Sequence, residues 1–263
     1  MSGRRRVRSV LRMLAVAWWL QCKIIAASTF NGFFQVVWPL FFATSAFLVY
    51  RVSATPDVML YAALGASMMG VWSTIATTAS NALQRERMIG TLELLVSSPT
   101  PFALAMVPIT VAMASLGLYS LVATLLWGWL AFGIPLQVND PVTFAVCVVC
   151  SILSMAMVGF MLSVSVVRYR TAWALGNMLE YPGWLLCGFL VPLSMFPDWV
   201  AGISYALPPT WGVRAVRQAA AGESPWGSLG VCVALGACYA AVAVLLAETV
   251  LRSARRHASL QLT

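Results

Sequence analysis

The chain has 263 residues, of which 61% are hydrophobic and 9% charged, and its net charge is +8. Soluble domains carry about 25% charged residues, so this composition excludes an ordinary water-soluble fold. A single Lys, Lys23, follows Cys22 and so cannot close a phosphate-binding Gly-Lys-Ser/Thr loop, and a single His, His257, excludes a two-His metal site.

The N-terminus opens with Arg4, Arg5, Arg6 and Arg8. The apolar stretch that follows is broken by Arg12 and Lys23, which argues against a cleavable signal peptide. Residues 7–28 predict a helix lying in the membrane interface. On a helical wheel Arg5, Arg8, Arg12 and Lys23 cluster within about 60°, facing lipid headgroups, and Leu11, Leu14, Trp18 and Leu20 face the acyl region. The competing reading, a seventh span, would put Arg12 and Lys23 inside the bilayer.

A bilayer-spanning helix needs about 20 mostly apolar residues. Six stretches meet that length: residues 32–50, 58–79, 102–132, 141–167, 173–195 and 226–250. The expected fold is therefore all-α and integral to the membrane. It is one transmembrane domain over residues 1–263, with six transmembrane helices behind an amphipathic interfacial N-terminal helix. The third stretch exceeds what the hydrocarbon requires, so it tilts or projects. Basic residues set the orientation. One side collects Arg4, Arg5, Arg6, Arg8, Arg12, Lys23, Arg85, Arg87, Arg168, Arg170, Arg252, Arg255 and Arg256; the other has Arg51, Arg214 and Arg217. Both termini are placed in the cytoplasm, in agreement with an even span count.

Residues 84–99 join the second and third spans on the cytoplasmic side. Arg85, Glu86, Arg87 and Glu93 alternate with Leu92, Leu94 and Leu95, which predicts a short amphipathic helix. Gly90 permits a sharp turn, and Pro99 and Pro101 stop the helix before the next span. On composition alone such a knob could transmit force to a soluble partner or merely fix topology.

Within the fifth stretch, Asn177, Glu180 and Tyr181 precede Pro182. A carboxylate at membrane depth faces a bundle interior or a water path, so these three are candidates for a translocation path; a structural Glu at a helix break is the equal alternative. Glu248 pairs by spacing with Arg252. Residues 196–225 form the largest external segment, with short helices expected that dip into or lie on the outer leaflet; its candidate residues are Pro209, Thr210, Arg214 and Arg217. Small residues recur every four positions at Ala62, Ala66 and Gly70, and at Gly230, Ala234 and Cys238, so helices there can pack closely. The six Cys lie almost entirely in apolar segments, where Cys147 and Cys150 read as small hydrophobes rather than a redox pair.

The sequence from Gln84 to Pro99 resembles the Glu-Arg-Glu-x-Gly-Thr-Leu-Glu-x-Leu signature of ATP-binding cassette (ABC) type-2 permeases, in particular their drug-export branch. Glu86, Arg87, Gly90, Thr91, Leu92 and Glu93 match, whereas Met88 stands where that family usually has a second Glu. The external loop is similar as well, at Val191-Pro192, Phe196-Pro197, Trp199, Pro208-Pro209-Thr210 and Arg217. The resemblance implies that Arg85, Glu86, Arg87, Gly90, Thr91, Leu92 and Glu93 couple the chain to a separate nucleotide-binding ATPase. It implies two copies of that ATPase, which hold the ATP and Mg, so this chain binds no cofactor and is not itself an enzyme. It also implies a second permease chain, identical or homologous, a bacterial plasma membrane, and export of a hydrophobic or amphipathic drug, antibiotic or lipid-like cargo. The alternatives are polysaccharide or glycolipid export, whose permeases usually lack the Gly-Thr-Leu-Glu segment, and a proton-coupled secondary transporter using Glu180. An intramembrane enzyme would need clustered polar residues that the spans do not offer.

Overall fold

The computed structural model describes residues 3–26, 29–51, 56–90, 102–135, 138–168 and 172–257. Every regular element among them is helical. In chain order they are α1 (Gly3–Ala26), α2 (Thr29–Arg51), α3 (Pro56–Ile89), α4 (Phe102–Phe132), α5 (Pro141–Arg168) and α6 (Ala172–Leu186). A 3-10 turn (Leu193–Met195), α7 (Asp198–Tyr205), α8 (Pro208–Ala221) and α9 (Trp226–His257) complete the series. Among the described residues, four stretches are long and apolar enough to cross a membrane: Val58–Thr77, Pro108–Phe132, Pro141–Ser165 and Trp226–Thr249; Pro39–Tyr50 is a shorter apolar stretch.

α3 occupies the centre. Residues 62–76 are buried without exception, and α3 packs against α2, α4, α5, α6 and α8. Its small residues serve this packing. Ala62 and Ala66 are fully buried, and a Cβ on Gly70 would lie 3.1 Å from Cβ of Pro39 on α2. The second small-residue row differs: Gly230, Ala234 and Cys238 are exposed on α9. α9 packs on α5 and α8 and leaves Val231, Val242 and Leu245 exposed.

α1 packs along α4, where the Trp18 indole donates to Ser115 Oγ at 3.0 Å. Arg12 and Lys23 are exposed, as are Val16, Trp19 and Leu20. α5 starts where Asp140 caps it: its carboxylate accepts from the Val142 and Thr143 amides at 3.1 and 3.3 Å.

Two expectations need correction. Residues 173–195 do not form one helix. α6 stops after Leu186, because Gly188 takes a left-handed φ of +68° and turns the chain into the 3-10 turn. At about 1.5 Å per residue, its 15 residues are too short to cross the hydrocarbon alone. Residues 84–89 are also not a separate short helix. With no Gly or Pro between Val71 and Ile89, the helix of the second span runs on to Ile89, and the chain first turns at Gly90, whose φ is +79°. The expected helices of the external segment are present as α7 and α8.

Candidate functional site: the Arg217 cradle and its cavity

α8 begins at Pro208-Pro209, a pair suited to the first helical turn because it lacks amide donors that a helix leaves unpaired anyway. Its inner face holds Pro209, Thr210, Gly212, Val213 and Val216, all buried. Close approach to α5 fixes that face: Ser151 Oγ donates to the Gly212 carbonyl at 3.3 Å. From α9, the Cys232 thiol donates to the Pro208 carbonyl, also at 3.3 Å. This anchoring aims Arg217, two turns further on, at the place where α6 has ended.

The carbonyls beyond α6 lack helical donors. Side chains supply them. Arg217 Nη1 donates to the Gly188 carbonyl at 2.9 Å, and Nη2 donates to the carbonyls of Phe189 and, at 3.3 Å, Tyr61. The Tyr50 hydroxyl donates to the next carbonyl, Leu190. The guanidinium also lies on the Tyr61 ring, 3.4 Å from its centroid, within cation–π range. Gly65 makes room: a Cβ there would fall well under 3.0 Å from both the Phe189 oxygen and Arg217 Nη2. Burial pulls the Arg217 pKa down to about 10, so it remains charged at neutral pH. One largely buried cation thus ties α8 to α3 and to the turn after α6.

A cavity of about 700 Å³ opens beside the cradle, its wall including Tyr61, Tyr205, Trp211, Arg214 and Arg217. Arg214 is exposed, 5.7 Å from the centroid of the Trp211 ring. Of the four external-loop candidates, Arg214 and Arg217 line the cavity with Thr210, whereas Pro209 is buried in the α8 packing.

The translocation-path candidates separate. Glu180 is buried, with its carboxylate accepting from Ser73 Oγ on α3 and its carbonyl accepting from the Trp72 indole at 3.3 Å. Gly183 admits the Trp72 ring, since a Cβ there would overlap the indole nitrogen. Tyr181 points the other way: it is exposed and meets Trp184 edge-on, with centroids 4.9 Å apart. Asn177 lies in α6, but its side chain is outside the described residues. Of the coupling candidates, Arg85, Glu86 and Arg87 belong to the end of α3 with side chains outside the described residues. Gly90 is the exposed turn, and Thr91, Leu92 and Glu93 are outside them altogether.

Sequence reasoning missed Tyr61, Gly65, Gly188 and Ser73. The available signal was Arg217 itself, a cation in an apolar segment with no carboxylate within one helical turn.

A buried polar clasp at the end of a membrane helix bundle is an architecture, and many bundles could carry one. The family model for the ABC-2 type transporter matches residues 12–220. The chain belongs to that family. No curated protein matches it. The ABC-2 match begins within α1 and ends one residue short of the end of α8, so it takes in both the 84–99 segment and the Arg217 cradle. As an ABC-2 permease the chain is a multi-pass membrane protein that works with an ATP-binding subunit.

Proposed function

We propose that this ABC-2 permease is the membrane subunit of an exporter that moves a hydrophobic or amphipathic molecule outward. A separate subunit, present in two copies, hydrolyses the ATP, and a second permease chain, identical or homologous, completes the pathway. In this reading six segments span a bacterial plasma membrane, with α2, and α6 together with the turn that follows it, joining the four long apolar helices, and both termini are cytoplasmic.

The observation that carries the reading is the position of Gln84 to Gly90, the described part of the motif. It begins on the last turn and a half of α3, the most buried helix of the bundle, and bends at Gly90. A charged knob rooted in the central helix is where a closing ATPase pair could act on the membrane domain. The charge bias of the loops supports the orientation. The Gly-Thr-Leu-Glu run at residues 90–93, which polysaccharide and glycolipid permeases usually lack, supports a greasy cargo over a sugar polymer.

The test is co-purification of the chain with its cognate ATPase in mild detergent, comparing wild type with the Glu86→Ala/Glu93→Ala pair. Retention of the ATPase by wild type and its loss, or loss of permease-dependent ATPase activity, in the pair supports the assignment. A double variant that holds and stimulates the ATPase like wild type would remove the coupling role from this segment. Transport that follows a proton gradient without any ATPase would transfer the function to Glu180.

A further inference from the structure

The cavity beside the cradle is larger than a structural clasp requires. Its volume, about 700 Å³, falls within roughly the 300–1,000 Å³ of small-molecule sites. Tyr61, Tyr205 and Trp211 give the wall three aromatic rings, and Arg214 and Arg217 give it two cations. These cations are three positions apart on α8, which puts them on neighbouring parts of one face. Glu223 is the one carboxylate among the described residues lining the cavity, so the wall keeps a net positive charge. Arg217 has Tyr61 and Tyr50 as its electrostatic neighbours rather than a carboxylate, and its Nε has no hydrogen-bond partner among the described residues. Arg214 is exposed beside the Trp211 ring.

A guanidinium fork takes a phosphate or carboxylate in two parallel hydrogen bonds. Rings next to that fork offer a surface for hydrocarbon. We infer that the cavity binds one anionic amphiphile, with its phosphate or carboxylate on Arg214 in the field of Arg217 and its chain against Trp211 and Tyr205. Binding is a property of this chain alone and needs neither an ATPase nor the export reading. The same headgroup chemistry belongs to soluble anions, from which the hydrocarbon contact distinguishes an amphiphile.

The experiment uses the full chain purified in a neutral maltoside detergent and a dansyl-labelled fatty acid, read by energy transfer from tryptophan. The competitors are dodecyl phosphate, dodecylphosphocholine and inorganic phosphate. The expected result is saturable transfer that dodecyl phosphate displaces at least about tenfold better than dodecylphosphocholine, with inorganic phosphate far weaker. Arg214→Gln, at an exposed position, weakens dodecyl phosphate about tenfold with an unchanged melting temperature. Leu60→Trp, which fills the cavity and leaves its charge intact, abolishes transfer; its melting curve verifies that it folds. Equal displacement by the phosphocholine overturns the proposal, as does wild-type binding by both variants. Inorganic phosphate competing as well as dodecyl phosphate overturns the amphiphile and leaves a soluble-anion site.

Discussion

Gly65 of α3 and Phe189 beyond α6 approach so closely that a methyl group on Gly65 would overlap the Phe189 carbonyl oxygen. The same methyl group would meet Arg217 Nη2. Gly65→Ala must therefore push the turn after α6 away from α3 and pull the Arg217 hydrogen bonds apart. Overpacking of this kind costs about 1–3 kcal/mol. The expected outcome is a clearly lower melting temperature in detergent, whereas Gly202→Ala, where an added Cβ meets nothing within 4 Å, melts at or above wild type because Ala suits the interior of α7 better than Gly.

Removing the cation tests the clasp from the other partner. Arg217→Met keeps the bulk of the stem but leaves the Gly188, Phe189 and Tyr61 carbonyls without their donor. A buried acceptor left unpaired costs about 1–3 kcal/mol, so the variant loses at least as much stability as Gly65→Ala. Arg217→Lys recovers only part of it, because a single ammonium cannot reproduce the fork. The double variant Gly65→Ala/Arg217→Met loses less than the sum of the two, since both break one contact. Thermal unfolding of the four proteins checks the ranking.

Glu180 is held by Ser73 and lies inside the bundle. Glu180→Gln keeps an acceptor for the Ser73 hydroxyl and folds like wild type, and Glu180→Leu strands that hydroxyl at a cost of about 1–3 kcal/mol. The discriminating measurement is transport. If Glu180 is a structural partner of Ser73, the Gln variant retains transport and coupled ATPase activity; near-complete loss with intact folding would make it a working residue of the pathway.

Asp140 gives a pH dependence. The Thr143 hydroxyl and amide, with the Val142 amide, hold its carboxyl below the ordinary carboxylate value. A depressed folded-state value means that its contribution is present above the unfolded value and disappears as pH falls through the folded one. Asp140→Asn removes the charge and keeps the acceptor oxygen. Wild type should therefore melt above this variant at neutral pH, with the gap closing below about pH 4.

The bundle's helices were legible because lipid-facing and core-facing helices both need long apolar runs. The stretch 102–132 reappears unchanged as α4, and 141–167 as α5 within a residue. The early end of α6 was not legible, since its apolar content continues past Leu186 and only the backbone at Gly188 reveals the turn. The cradle was half legible. Arg217 was among the candidates of the external segment, but its partners are carbonyls of Gly188, Phe189 and Tyr61, and every residue carries a carbonyl. Nothing in the side-chain alphabet marks such an acceptor. Ser73 was hidden for a related reason, being one of several small hydroxyls on α3 until Glu180 is seen against it.

α3 joins places that the chain otherwise keeps far apart. Tyr61 and Gly65 near its start hold the Arg217 clasp, and Gln84 to Ile89 form its far end. Its 34 residues make a rod about 50 Å long, free of proline after its first residue and clamped along its middle by five neighbours. The clasp and the charged tip thus stand at opposite ends of one continuous helix, so the backbone that binds Arg217 is the same backbone that carries Arg85, Glu86 and Arg87.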